Sequence, residues 1–111
     1  MEINVTKQGN TVVVSLTGRM DAISSPEFDR EMDRLISEGN KNFILDFSLL
    51  EYISSAGLRS VLSASKRLKS EQGKLFLASL RDVVKEVFDI SGFTKIIPVY
   101  DSVESALSNL K

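Results

Sequence analysis

The chain has 111 residues, with 14 Lys plus Arg against 15 Asp plus Glu and a hydrophobic share of 42%, the usual mix of a globular domain. His, Cys and Trp are all absent. That excludes disulfides, thiol- or imidazole-bound metals, a Ser-His-Asp triad and a histidine general base. One domain over residues 1–111 is expected, and the near-neutral charge argues against direct nucleic-acid contact. Apolar runs fall far short of the ~20 residues of a membrane span. The start Met1-Glu2-Ile3-Asn4 lacks a signal-peptide pattern, so a cytoplasmic protein is expected. The residue in conspicuous supply is serine, with 16 copies.

In chain order, Ile3 and Val5 and the apolar, β-branched run over residues 11–16 flank Gly9-Asn10 and predict a hairpin, its second strand broken at Gly18. Ser24 with Glu27 fits a capping box, and Ile23 with Phe28 a hydrophobic staple. Ser25 before Pro26 is the competing cap. Phe28, Met32, Leu35 and Ile36 then recur at helical spacing up to Gly39-Asn40. Residues 43–47 read as a short buried strand, followed by a loop over 48–58. Leu58, Val61, Leu62, Ser65 and Leu68 form the stripe of a second helix stopped by Gly73.

Residues 75–78 predict the next strand, and Val83, Val84, Val87 and Phe88 the helix after it, closed near Gly92. Residues 96–99 predict an edge strand, because Pro98 cannot donate to a ladder. Val103, Ala106, Leu107 and Leu110 mark a final helix opened by a capping box of Asp101 and Glu104. The order ββαβαβαβα implies an α/β domain: a mixed, mostly parallel sheet with an N-terminal hairpin and helices packed on it.

Chemistry is expected in the 48–58 loop, where a strand end meets a helix N-terminus and backbone N–H groups lie free. Ser54 and Ser55 sit there, and Gly57 leaves the first turn open to close approach by another molecule. A serine before a helix is most often its cap. The phosphate-loop patterns GxxxxGK[ST] and GxGxxG are absent. So is the G-x-S-x-G elbow, and no Lys lies in the loop to activate a serine. No catalytic group and no cofactor are expected. A carboxylate metal site from Asp21, Asp46 and Glu51 stays open in principle, although nothing in the pattern brings the three together. Lys66, Arg67 and Lys69 read as a solvated face, and Phe88, Phe93 and Ile96 as completing the core.

Four segments carry a family resemblance: Leu16-Thr17-Gly18-Arg19-Met20-Asp21-Ala22, Leu45-Asp46-Phe47-Ser48, Ile53-Ser54-Ser55-Ala56-Gly57-Leu58-Arg59, and Val87-Phe88-Asp89-Ile90-Ser91-Gly92-Phe93-Thr94-Lys95-Ile96. Together they resemble the bacterial anti-sigma factor antagonists, which are STAS domains. The resemblance implies a regulatory switch instead of an enzyme. It implies an anti-sigma factor that is itself a serine protein kinase, binding the unmodified form and releasing a sigma factor. It places the phosphate on Ser55, two residues before the glycine, with Ser54 as rival where many members carry Asp. Asp21 matches an acidic residue that helps contact the kinase, so Asp21, Ser54, Ser55, Ala56, Gly57 and Leu58 are the implied partner-binding residues. A PP2C-type phosphatase is the implied counter-enzyme. The alternative is a STAS ligand-binding or scaffold module, associated with nucleotides or lipid transport and outside kinase control.

Overall fold

The hairpin forms as the sequence predicts. β1 (Glu2–Gln8) and β2 (Thr11–Met20) pair antiparallel around Gly9, whose φ of +64° is the left-handed conformation that glycine adopts freely. The computed structural model describes residues 1–110. β2 does not stop at Gly18: the glycine takes φ +96° inside the strand, beside a register shift, and pairing continues to Met20. A glycine within a strand marked an irregularity, not an end.

α1 (Ser25–Ser37) carries Pro26 in its first turn, but neither a capping box nor a staple opens it. Ser24 already has helical dihedrals, its hydroxyl turns back toward Asp21, and Ile23 is 91% exposed. β3 (Asn42–Ile53) is far longer than the short strand predicted, and includes most of the supposed loop. Its ladder with β2 shifts register twice, between Ser15 and Thr17 and between Gly18 and Arg19. Each shift adds a residue on the β3 side, which keeps Phe47, Leu50 and Ile53 facing the same core.

α2 (Ser55–Ser70), β4 (Lys74–Ala78) and α3 (Asp82–Ser91) follow, the last closed by Gly92 at φ +81°. A single 3-10 turn over Phe93–Lys95 leads to β5 (Val99–Tyr100), a two-residue edge strand placed just after Pro98. Ile97, not Ile96, enters the core there; Ile96 stays exposed. α4 (Val103–Asn109) is capped one residue later than predicted, since the Ser102 hydroxyl accepts from the Ser105 N–H at 3.0 Å.

The sheet runs β1-β2-β3-β4-β5, with only β1 antiparallel. Val12, Val14, Leu16, Phe43, Leu45 and Phe47 face α1, α2 and α3 on one side. Val13, Ile44, Phe76 and Ala78 face α4 on the other. Strands covered on both sides read as unbroken apolar runs, which is why 12–14 and 43–45 show no alternation. Arg67 is not a freely solvated cation: it pairs with Asp33 of α1 and, at 3.4 Å, with Glu71, tying α1 to α2. Among the described residues no helix is long and apolar enough to cross a membrane.

Candidate functional site

The carboxyl ends of β2 and β3 finish together. Met20 and Ile53 are the last partners of their ladder, and one further hydrogen bond runs from the Ser54 N–H to the Met20 carbonyl at 2.9 Å. The chain leaves β2 into the turn 21–24 and leaves β3 directly into α2, so Asp21 and Ser54 emerge side by side.

Ser54 is extended (φ −92°, ψ 174°) and caps α2, its hydroxyl accepting from the Gly57 N–H at 3.2 Å. Ser55, the first residue of the helix, is exposed, and its hydroxyl has no hydrogen-bond partner among the described residues. The two serines thus differ in duty. Ser54 is half-buried and engaged; Ser55 is outward and free.

Asp21 is engaged as well. Its Oδ1 accepts from the Ile23 and Ser24 N–H groups, each at 3.0 Å, and lies 3.1 Å from the Ser24 hydroxyl. The Ser24 Oγ in turn accepts from the Asp21 N–H at 2.9 Å. Hydrogen bonds from the Ser24 N–H above all, then from the Ser24 hydroxyl and the Ile23 N–H, with the charge of Arg19 adding to them, hold the Asp21 carboxyl below the ordinary aspartate range. Together they outweigh an opposing effect of desolvation that is second in size to the Ser24 N–H bond. Arg19 lies over the Tyr52 ring, 4.3 Å from its centroid, and its Nε is 3.9 Å from Asp21 Oδ2.

A profile of the STAS domain matches residues 2–106. The chain belongs to the STAS domain family. The resemblance read from the four sequence segments is therefore correct, and the element order ββαβαβαβα read from periodicity is the one observed. Among relatives, a Bordetella bronchiseptica protein, BtrV, described as a candidate anti-sigma factor antagonist, is 37% identical over 111 residues, covering 100% of this chain and 96% of its own. A Thermotoga maritima structure, also described as a candidate antagonist, superposes with a TM-score of 0.92 at 19% identity, covering 96% of this chain and 92% of its own. SpoIIAA of Bacillus in its phosphorylated form superposes at 0.78 with 21% identity, covering 99% and 100%. At those identities the two structures speak for the STAS fold alone. The relatives are named as anti-sigma factor antagonists, a regulatory description and not that of an enzyme.

Of the implied site residues, Asp21, Ser54 and Ser55 meet at the end of the β2–β3 ladder. Gly57 is different from its expected role: it is buried, and the room a side chain would need is filled by Ile53 and Met20. Its bareness serves the seating of α2 on the sheet, not approach by another molecule. Leu58 packs partly on the core, and Ala56 faces a groove of about 600 Å³ between α1 and α2, lined also by Ser25, Arg59 and Ser60. Asp21, Asp46 and Glu51 do not form a cluster, and no group of three such ligands occurs among the described residues. Asp46 instead accepts from the Ser48 N–H and the Ser15 hydroxyl. The sequence reading missed Ile23 as a surface residue, and also the Arg19–Tyr52 stack; these two residues become cross-strand partners only through the register shifts of β3, which the sequence pattern does not show.

Proposed function

We propose that this STAS domain is a cytoplasmic anti-sigma factor antagonist switched off by phosphorylation of Ser55. The observation that carries the proposal is the exposed, unengaged Ser55 hydroxyl at the first position of α2, next to a Ser54 hydroxyl already used as the cap. In the unmodified state the domain binds an anti-sigma factor that is itself an ATP-dependent serine kinase. Its surface there is the end of the β2–β3 ladder, with Asp21, Ser54, Ser55, Ala56 and Leu58, shaped from within by Gly57. A PP2C-type phosphatase restores the binding form.

Phosphorylation adds a charge of about −1.5 to −2 and three acceptor oxygens. The domain can carry that charge at a helix N-terminus, where free N–H groups and the dipole offset it. A partner surface fitted to a neutral hydroxyl cannot. Like-charge juxtaposition at an interface costs several kcal/mol, and ~3–4 kcal/mol weakens binding by a factor of hundreds. The switch works by local electrostatics without a change of fold.

The test is incubation with each purified serine-kinase anti-sigma factor encoded in the same genome, with ATP, followed by mapping of the phosphate. Phosphate on Ser55, persistent binding of Ser55→Ala and weak binding of Ser55→Asp are expected. Phosphate on Ser54 alone would overturn the site, and absence of binding to every such kinase would overturn the function.

A further inference from the structure

Ile23 is the most exposed large hydrophobic residue of the domain, at 91%. Its backbone is held by hydrogen bonds. Its own N–H and that of Ser24 both donate to Asp21 Oδ1 at 3.0 Å. The Ser24 Oγ accepts from the Asp21 N–H and lies 2.9 Å from the Arg19 carbonyl, while the Ser25 N–H donates to the Asp21 carbonyl at 2.8 Å. The turn is therefore clamped at both ends, to the last residues of β2 and to the first of α1.

A flexible loop that shows an aliphatic side chain to water must be ordered when a partner buries it; this turn is ordered already. The cost of ordering the backbone of the turn has been met in the fold, so less of the gain from burying the side chain is offset on binding. Full burial of an Ile side chain corresponds to about ten- to hundredfold in a dissociation constant. The position is telling too. Ile23 lies two residues beyond Asp21, which emerges beside Ser54 through the Met20–Ser54 hydrogen bond.

We infer that Ile23 is the apolar anchor of the partner interface, and that Asp21 is a positioning residue whose carboxylate builds the turn presenting it. The inference rests on the proposed binding of an anti-sigma factor, and it adds the chemistry of that partner: an apolar pocket flanking the surface that receives Ser55. Asp21 Oδ1 is occupied by the turn, and Oδ2 faces Arg19. The negative charge is thus secondary to the acceptor geometry.

The experiment compares unmodified wild type with Ile23→Ser, Asp21→Asn and Asp21→Ala, by calorimetry against the serine-kinase anti-sigma factors of the same genome. Amide exchange of Ser24 serves as the readout of the turn. Asn retains an Oδ1 acceptor, so D21N should keep the Ser24 amide protected and lose clearly less affinity than D21A. D21A should lose that protection and bind at least tenfold more weakly, in line with loss of an ordered anchor. I23S should keep the protection and still lose tenfold or more. Wild-type affinity in I23S would overturn the anchor while leaving the proposed function standing. A D21N defect equal to that of D21A would overturn the positioning role. A self-association abolished by I23S would give the surface to a second copy of this chain and overturn the assignment. Failure of wild type to bind any of these kinases removes the proposed function and this inference with it.

Discussion

Gly57, in the first turn of α2, lies against the carbonyl of Met20 at the end of β2: a Cβ there would come within 3.0 Å of that oxygen and 2.7 Å of Ile53 Cγ1. Neither neighbour is the free end of a flexible side chain, so Gly57→Ala must push α2 away from the ladder end. Overpacking of this kind costs about 1–3 kcal/mol, against a helix-propensity gain of at most ~1 kcal/mol for Ala over Gly. The expected outcome is a net loss, read as a fall in Tm of several degrees in calorimetry. An unchanged or raised Tm would show that the close seating carries no constraint.

Ser25 offers the opposite sign. It is buried at the start of α1, and its hydroxyl has no partner among the described residues. A buried hydroxyl without a partner costs about 1–3 kcal/mol, and its removal leaves no other group stranded. Ser25→Ala should therefore raise stability by roughly 1 kcal/mol, a Tm gain of a few degrees. A drop of that size would mean that the hydroxyl is paired in solution.

The element order was legible in the sequence because caps and glycines punctuate it: Gly39 and Gly92 end helices where expected, and both take positive φ. β3 was not legible over its second half. Its core residues there are Phe47, Leu50 and Ile53, three apart, because each bulge reverses the parity of the strand. A period of three is neither strand-like nor sustained enough for a helix, so the segment resembles a loop. That a serine caps α2 was legible from its place before the helix, but that Ser54 and not Ser55 does so is decided by the Ser54 hydroxyl accepting from the Gly57 N–H. The exposure of Ile23 was not legible. Staple spacing to Phe28 suggested burial, but only the hydrogen bonds of Asp21 decide which way that turn faces.

Phosphoserine installed at position 55 during synthesis separates the switch from its kinase. Ser55 is the first residue of a 16-residue helix with no acidic residue in its first turn, so the added charge meets an uncompensated N-terminus. The phosphorylated domain should be no less stable than the unmodified one, and more stable by about 0.3–1 kcal/mol at low ionic strength. The gain should shrink as salt rises, since the site is exposed. Paired thermal melts at low and high salt check this. A phosphorylated form that unfolds more readily would mean that release of a partner works through loss of fold.

Acid should loosen the Asp21 turn, and the sign follows from the direction of its shift. The folded carboxyl titrates below the ordinary value, chiefly because the Ser24 N–H donates to its ionised form, with Ile23 and Arg19 acting in the same sense. Its contribution to stability is then fully present above ~3.9, the unfolded value, and is lost as pH falls through the lower folded value. Between neutrality and about pH 5 the turn should be insensitive to pH. Below ~4 the Ile23 and Ser24 amides should lose protection together, as protonation weakens the shared acceptor. Asp21→Asn should lack that step, because its acceptor does not titrate there. Carboxyl NMR titration with amide exchange measures both, and an Asp21 that titrates at or above the ordinary value would contradict the hydrogen-bonded turn.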